Sequence, residues 1–206
     1  MRNVLVTGAH GQLGHHVIDL ATSAGIPIRG AGSAEIDITD AASVAAAVGP
    51  GSVVINCAAY TAVDAAETDE AAAAAVNGYG PGVLARVCAD AGAHLIHVST
   101  DYVFAGDATQ PYPIDAPTDP RSAYGRTKLL GEQAVLAVLP SAHIVRTAWV
   151  YTGDRNDFVA AMRGLERDRD TVRVVDDQLD APPMRATSPR DCSNSRSAPT
   201  AIRYRG

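Results

Sequence analysis

The chain has 206 residues, with 17 basic against 23 acidic side chains for a formal charge of −6, and 47% of it is hydrophobic. That suits one domain, or one and a half, and excludes wholesale disorder. Mild acidity argues against a nucleic-acid protein, and no apolar run reaches the ~18–20 residues of a membrane span. Three separated cysteines read as reduced thiols, with neither a disulfide framework nor a metal knuckle. Met1-Arg2-Asn3-Val4-Leu5 runs straight into a strand pattern without a leader, so the expected location is cytoplasmic. Of the 17 basic residues 16 are arginine, and Lys128 is the only lysine.

Short apolar runs alternate with helical stretches, the pattern of βαβ units. Val4-Leu5-Val6 is a first strand, 12–24 has helical spacing, and Ile26-Pro27-Ile28 opens a second strand. An alanine-rich helix at 41–48 precedes a third strand, Val53-Val54-Ile55. One long helix is expected over 67–90, then a fourth strand at Leu95-Ile96-His97-Val98. Helix 124–138, strand Ile144-Val145, helix 158–166 and a sixth strand at 172–175 complete the series. Strands this apolar imply a sheet covered on both faces, hence α/β, parallel and doubly wound. Near Asp180 the composition shifts to Arg, Pro and Ser: residues 180–206 carry +3, so the rest carries −9. That tail has the composition of a disordered extension.

Thr7-Gly8-Ala9-His10-Gly11-Gln12-Leu13-Gly14 spaces its glycines G-x-x-G-x-x-G between a strand and a helix. Glycines there permit a tight turn and the close approach of a pyrophosphate to the helix N-terminus. A dinucleotide is the expected ligand. No carboxylate follows the second strand until Glu35, while Arg29 or Ser33 could take a 2′-phosphate, which favours NADPH, with NADH a tolerated alternative.

Tyr124-Gly-Arg-Thr-Lys128 stacks a phenol and an ammonium at i and i+4 on one helix face. A nearby cation would lower the phenol from its usual pKa of ~10 toward a working pH for proton exchange. Ser99-Thr100-Asp101 ends the fourth strand, at the carboxyl edge where such sheets bind ligands, and a hydroxyl there can donate to a carbonyl that Tyr124 protonates.

The matching segments are Thr7-Gly-Ala-His-Gly-Gln-Leu-Gly14, Asn56-Cys-Ala-Ala-Tyr-Thr-Ala-Val-Asp64, Ser99-Thr-Asp-Tyr-Val-Phe104, Tyr124-Gly-Arg-Thr-Lys128, Arg146-Thr-Ala-Trp-Val-Tyr151 and Val174-Val-Asp-Asp-Gln178. On these the chain resembles the extended short-chain dehydrogenase/reductases, and within them the dTDP-4-dehydrorhamnose reductase family, over residues 1 to about 179. The resemblance implies a Rossmann fold and NADPH-dependent reduction of the C4 keto group of a dTDP-6-deoxy-hexulose in dTDP-rhamnose biosynthesis. It implies Tyr124 as proton donor, Lys128 as its tuner and ribose ligand, and Thr100 as the group that orients the carbonyl. The cofactor would meet Gly8, His10, Gly11, Gln12, Leu13, Gly14, Asp37, Ile38, Ala58, Ala59 and Tyr60, together with Tyr124 and Lys128. The substrate would meet Thr61, Val103, Phe104 and Trp149. The partner implied is a small nucleotide sugar, without nucleic acid or membrane, and the family admits a homodimer. No ligand cluster supports a metal.

The implied organisation is an NADP-binding Rossmann domain at 1–150, the start of a substrate-binding region with a late strand at 151–179, and an atypical tail at 180–206. After Gln178 the family pattern does not return, so the expected C-terminal substrate domain is incomplete, as in a truncated or frameshifted product. Plainer readings stand beside these assignments. Trp149 and Phe104 suit a core, Asp64 and Asp101 suit loop braces, and Asn77 suits a backbone brace. Adjacent His15 and His16 diverge on a helix, His94 and His97 face opposite sides of a strand, and Cys57 and Cys88 are inert core thiols. The competing functions are an epimerase or dehydratase acting on another nucleotide sugar, and a non-catalytic NADP-binding protein.

Overall fold

Four-to-seven-residue apolar runs form the strands β1 (Val4–Thr7), β2 (Ile28–Ala31), β3 (Val53–Asn56), β4 (His94–Thr100) and β5 (His143–Thr147). They lie in the sheet order β2-β1-β3-β4-β5. The pairs β1–β2, β1–β3 and β3–β4 are parallel. The computed structural model describes residues 3–150, 158–169 and 171. The chain divides into two compact units, Met1–Arg146 and Thr147–Gly206.

The helices of the first unit are α1 (Gln12–Ser23), α2 (Ala41–Ala47), α3 (Val63–Ala66), α4 (Glu70–Ala74), α5 (Gly80–Asp90) and α6 (Ala123–Val138). Side-chain caps start several of them. Asp40 accepts from Ala42 N at 3.0 Å, Asp69 from Ala72 N at 3.0 Å, and Ser122 from Gly125 N at 3.1 Å.

Register explains where the core ends and chemistry begins. Leu5, Val54 and Leu95 stand side by side on β1, β3 and β4, and pack with Val44 of α2, Leu84 of α5 and Val135 of α6. One pleat toward the carboxyl edge, the same face carries Thr7, Asn56 and His97 in a row. The Thr7 hydroxyl donates to Asn56 Oδ1 at 2.7 Å, and the Asn56 amide meets His97 Nδ1 at 3.0 Å. All three residues are buried. The hydrophobic core thus gives way to a hydrogen-bonded polar row beneath the strand ends. α1 covers the other face of β2, where its Ile18 fills the space above Gly30.

The single helix expected over 67–90 starts later, at Glu70, and is interrupted once. α3 stops at Ala66, and Glu67 instead offers its carboxylate to Ala123 N at 2.7 Å, satisfying a free donor at the start of α6. Asp69 then restarts the chain as α4. Between α4 and α5 the residues Ala75–Tyr79 form a π-helical turn, which inserts an extra residue into the helical ladder. Asn77 lies in that turn, fully buried. Its side chain accepts from Tyr60 N at 2.8 Å and donates to Tyr60 O at 3.0 Å and Thr127 Oγ1 at 3.2 Å. α6 reaches this turn because residue 131 is glycine: a Cβ there would collide with the carbonyl oxygen of Asn77.

In the second unit α7 (Phe158–Asp168) is described, two residues longer than the helix expected at 158–166. The strand expected at 172–175 and the segment 180–206 lie outside the described residues. Among the described residues no helix is long and apolar enough to cross a membrane.

Candidate active site

Parallel strands bring the loops after β1, β3 and β4 to one edge. The glycine loop closes tightly on its neighbour: Gly8 has φ +67°, and a Cβ there would lie 2.5 Å from Ala58 N. Only glycine meets both demands. Gly11 precedes α1 as its N-cap residue, and no side chain caps that helix, so its first N–H groups face the loop. His10 is exposed, its Nε2 3.7 Å from Glu35 Oε2, and Gln12 and Leu13 are half-buried beside buried Gly14. The arrangement fits a pyrophosphate.

The end of β2 departs from expectation. Arg29 turns away to α2, donating to Ala47 O at 3.1 Å. Glu35 reaches back to accept from Gly32 N at 2.8 Å, leaving exposed Ser33 as the group available to a 2′-phosphate. Asp37 accepts from Thr39 N at 2.9 Å and Thr39 Oγ1 at 2.7 Å, and these bonds hold its carboxyl below the usual range. The Ile38 side chain is buried in the core against Gly80.

After β3 the backbone of Ala58, Ala59 and Tyr60 is shaped by Asn77 through the two bonds to Tyr60, which makes Asn77 a brace. Thr61 is exposed. The Tyr60 and Tyr124 rings both pack on the small buried cluster Ala66, Ala73 and Ala123. Alanines here let two phenols approach.

Thr100 and Tyr124 lie near one another, and Lys128 follows one turn later on α6. Thr100 ends β4, and its hydroxyl bonds to Asp101 Oδ1 at 3.0 Å, accepts from Tyr102 N at 3.2 Å and bears on the Tyr124 phenol. The Tyr102 ring meets the Tyr124 ring edge-on at 5.6 Å. Lys128 is 2% exposed, with Nζ 2.7 Å from Val98 O.

The expected electrostatics are reversed in this cofactor-free chain. Burial pushes the Tyr124 phenol above its usual pKa of 10; the Thr100 hydrogen bond opposes this, while the Asp101 charge and Tyr102 add to it. Lys128 is bonded to strand β4 and does not lower the phenol. Burial pulls Lys128 itself down to about 8, against the opposing attraction of Glu132 one turn later. Burial lifts Cys57 and Cys88 each to about 11, so both thiols are inert.

His97, beneath this site, is pulled down to about 3 by burial first and the Lys128 charge second. Its Nδ1 accepts from the Asn56 amide, because Asn56 Oδ1 already accepts from Thr7 and Ala58 N. A histidine with a depressed folded-state pKa supplies stability above its unfolded value of ~6.5, lost as pH falls toward the folded value. Urea unfolding between pH 6.5 and 4.5 should therefore show stability falling with acid, and His97→Asn should flatten that slope. An identical slope in both proteins would remove His97 as its source.

The substrate positions divide. Val103 is fully buried, at 0% exposure. Phe104 stacks on Tyr112 with centroids 4.3 Å apart and planes at 7°. Trp149, in the second unit, meets Phe158 edge-on at 5.3 Å, with a backbone φ of 50° that is rare for a bulky residue. Sequence reasoning missed Tyr102, Glu132 and Arg146. Arg146 grips Glu132 with bonds of 2.9 and 2.6 Å, and buried carboxylates are almost always paired, so a Glu on a core-facing helix position was the available signal. Among the described residues no group of three or more His, Cys, Asp or Glu could hold a metal ion.

A family model described as the RmlD substrate binding domain matches residues 1–192. The chain belongs to the RmlD substrate binding domain family. The match to the RmlD model continues past residue 180, where the composition changes. A similar relative is a dTDP-4-dehydrorhamnose reductase of Mycobacterium tuberculosis, 54% identical over 185 residues that cover 87% of this chain and 60% of that protein. A crystal structure of a dTDP-4-dehydrorhamnose reductase from Clostridium acetobutylicum matches with TM-score 0.82 at 41% identity, over 87% of this chain and 65% of that one. Another from Bacillus anthracis, in complex with NADP, matches with TM-score 0.82 at 35% identity, over 88% and 66%. The chain thus spans about 60% of the length of the curated RmlD relatives it matches.

Proposed function

We propose that this chain carries the cofactor half and reacting groups of an NADPH-dependent reductase. Its reaction would convert the C4 keto group of dTDP-4-dehydro-L-rhamnose to the alcohol of dTDP-L-rhamnose. The observation that carries this reading is the Tyr124 phenol ring against Tyr102, whose N–H bonds the Thr100 hydroxyl at the end of β4, with the only lysine one turn further on the same helix. The close Gly8–Ala58 packing and the uncapped start of α1 fit a dinucleotide pyrophosphate. The relative solved with NADP supports the phosphorylated cofactor.

When bound, the dinucleotide supplies the hydride. The residues of the chain do the rest. Thr100 donates a hydrogen bond to the substrate carbonyl and fixes its direction. Tyr124, kept protonated by burial, delivers its phenolic proton to the oxygen as negative charge develops there. Lys128, the only lysine in the chain, would hold the ribose hydroxyls. Tyr102 and Tyr60 line the phenol and limit water.

The test follows NADPH absorbance with dTDP-4-dehydro-L-rhamnose, alongside NADPH binding by fluorescence. Binding with oxidation is expected. Binding without oxidation would instead favour the non-catalytic reading.

A further inference from the structure

We propose that Arg146 is a positioning residue that holds the loop after β4 as a wall of the sugar-nucleotide site. The proposal rests on the reductase reading above. One guanidinium makes four contacts. Its Nε and one terminal nitrogen donate to the two Glu132 oxygens at 2.9 and 2.6 Å, and the other terminal nitrogen reaches Ile114 O at 3.5 Å. Its central carbon lies over the Phe104 ring, 4.9 Å from the ring centre.

Each contact ties the loop to the reacting groups. Glu132 is buried on α6, one turn beyond Lys128 and two beyond Tyr124, so its carboxylate belongs to the same rigid helix as the phenol and ammonium. Phe104 stacks on Tyr112 on its way into the loop. The Tyr112 hydroxyl accepts from Gly106, Asp107 and Ala108 N at 2.9, 3.1 and 3.2 Å, which closes the loop tip into a compact turn. Asp119 N donates to Val103 O at 3.0 Å and shuts the loop base.

The order is therefore helix, carboxylate, guanidinium, ring, ring, loop tip. The loop begins at Tyr102, whose ring touches that of Tyr124, so a carbonyl presented to the phenol must pass along it. The planar fork of arginine serves this role because it bonds both oxygens of a carboxylate while its charge sits over a ring. Ile114, held at its backbone by Arg146, presents a side chain that is 97% exposed, so this tether does not serve to bury it.

Removing Arg146 alone would strand the buried Glu132 carboxylate, so the main variant is Glu132→Gln/Arg146→Met, with Arg146→Lys beside it. In the full 206-residue chain, hydrogen exchange at 106–108, NADPH affinity and dTDP-L-rhamnose affinity are measured together. The double variant should exchange at least ~10-fold faster at those amides and bind dTDP-L-rhamnose at least ~10-fold more weakly, with NADPH affinity within about twofold. Arg146→Lys should recover part of both losses. Unchanged exchange or sugar-nucleotide affinity would overturn the role of Arg146, as would an equal loss of NADPH affinity, which marks a general structural defect. A wild-type chain that binds NADPH but no dTDP-L-rhamnose would instead overturn the reductase reading, and this proposal with it.

Discussion

Lys128→Met should raise the stability of the cofactor-free protein by about 2 kcal/mol at pH 7 while removing its turnover. The lysine is charged but buried, with its pKa pulled to about 8 from the ordinary 10.5. A depression of that size costs about 3 kcal/mol when the group is protonated in both states, and the lost hydrogen bond to Val98 returns about 1 kcal/mol of it. The unfolded chain binds the proton more tightly, so the cost is full below pH 8 and fades as pH climbs to 10.5. Urea unfolding of both proteins at pH 7 and pH 10 checks this: the variant should lead at the lower pH and the gap should narrow at the higher. A variant no more stable than wild type at pH 7 would show that the ammonium is not penalised. A stabilising change that destroys activity is the mark of a functional group held against its preference.

Tyr124→Phe should lower kcat by 10²- to 10⁴-fold, the usual worth of a positioned general acid, and leave NADPH affinity nearly unchanged. The phenylalanine keeps the packing on Ala66, Ala73 and Ala123 and the edge contact with Tyr102, so the loss isolates the hydroxyl. The Thr100 hydroxyl, still held by Tyr102 N, would remain free to turn its single proton from Asp101 to the carbonyl, so KM should be little altered. Steady-state kinetics with a fluorescence titration of NADPH separate these quantities. Full rate in the variant would take the proton-donor role away from Tyr124.

The parts of the fold that read directly from sequence were those ruled by local pattern. Apolar runs between glycines and alanine-rich stretches placed β1 to β4 and α1, α2 and α6 within a few residues, and strand ends located Thr100. The Thr100, Tyr124 and Lys128 constellation was legible because its spacing on one helix and one strand end is itself local. Long-range effects were not. The electrostatic state of Lys128 depends on its burial, which packing against β4 thirty residues earlier in the chain helps to create and no motif encodes. Ile38 and Val103 follow motifs that suggest ligand contact, yet tertiary packing claims both side chains. Arg29 looked free for a phosphate and is instead spent on the C-terminus of α2. The Arg146–Glu132 pair is absent from any local pattern, because its partners lie on different elements and meet only when β5 enters the sheet.

The π turn at Ala75–Tyr79 changes what the surrounding alanine-rich segment can tolerate. Its composition suggests a forgiving stretch, in which one alanine more or fewer would cost little. Yet an α-helix turns 100° per residue, so an extra residue would swing everything upstream by nearly a third of a rotation relative to α5 unless it were bulged out, and the π turn is that bulge. It keeps Glu70 on Arg126, bonded at 2.9 and 2.8 Å, while aiming Asn77 at Tyr60. Point changes to small residues at the exposed alanines should pass almost unnoticed, whereas a residue deleted from the regular turn of α4 would carry Glu70 away from Arg126. This segment tells time by residue count, and its identity matters less than its length.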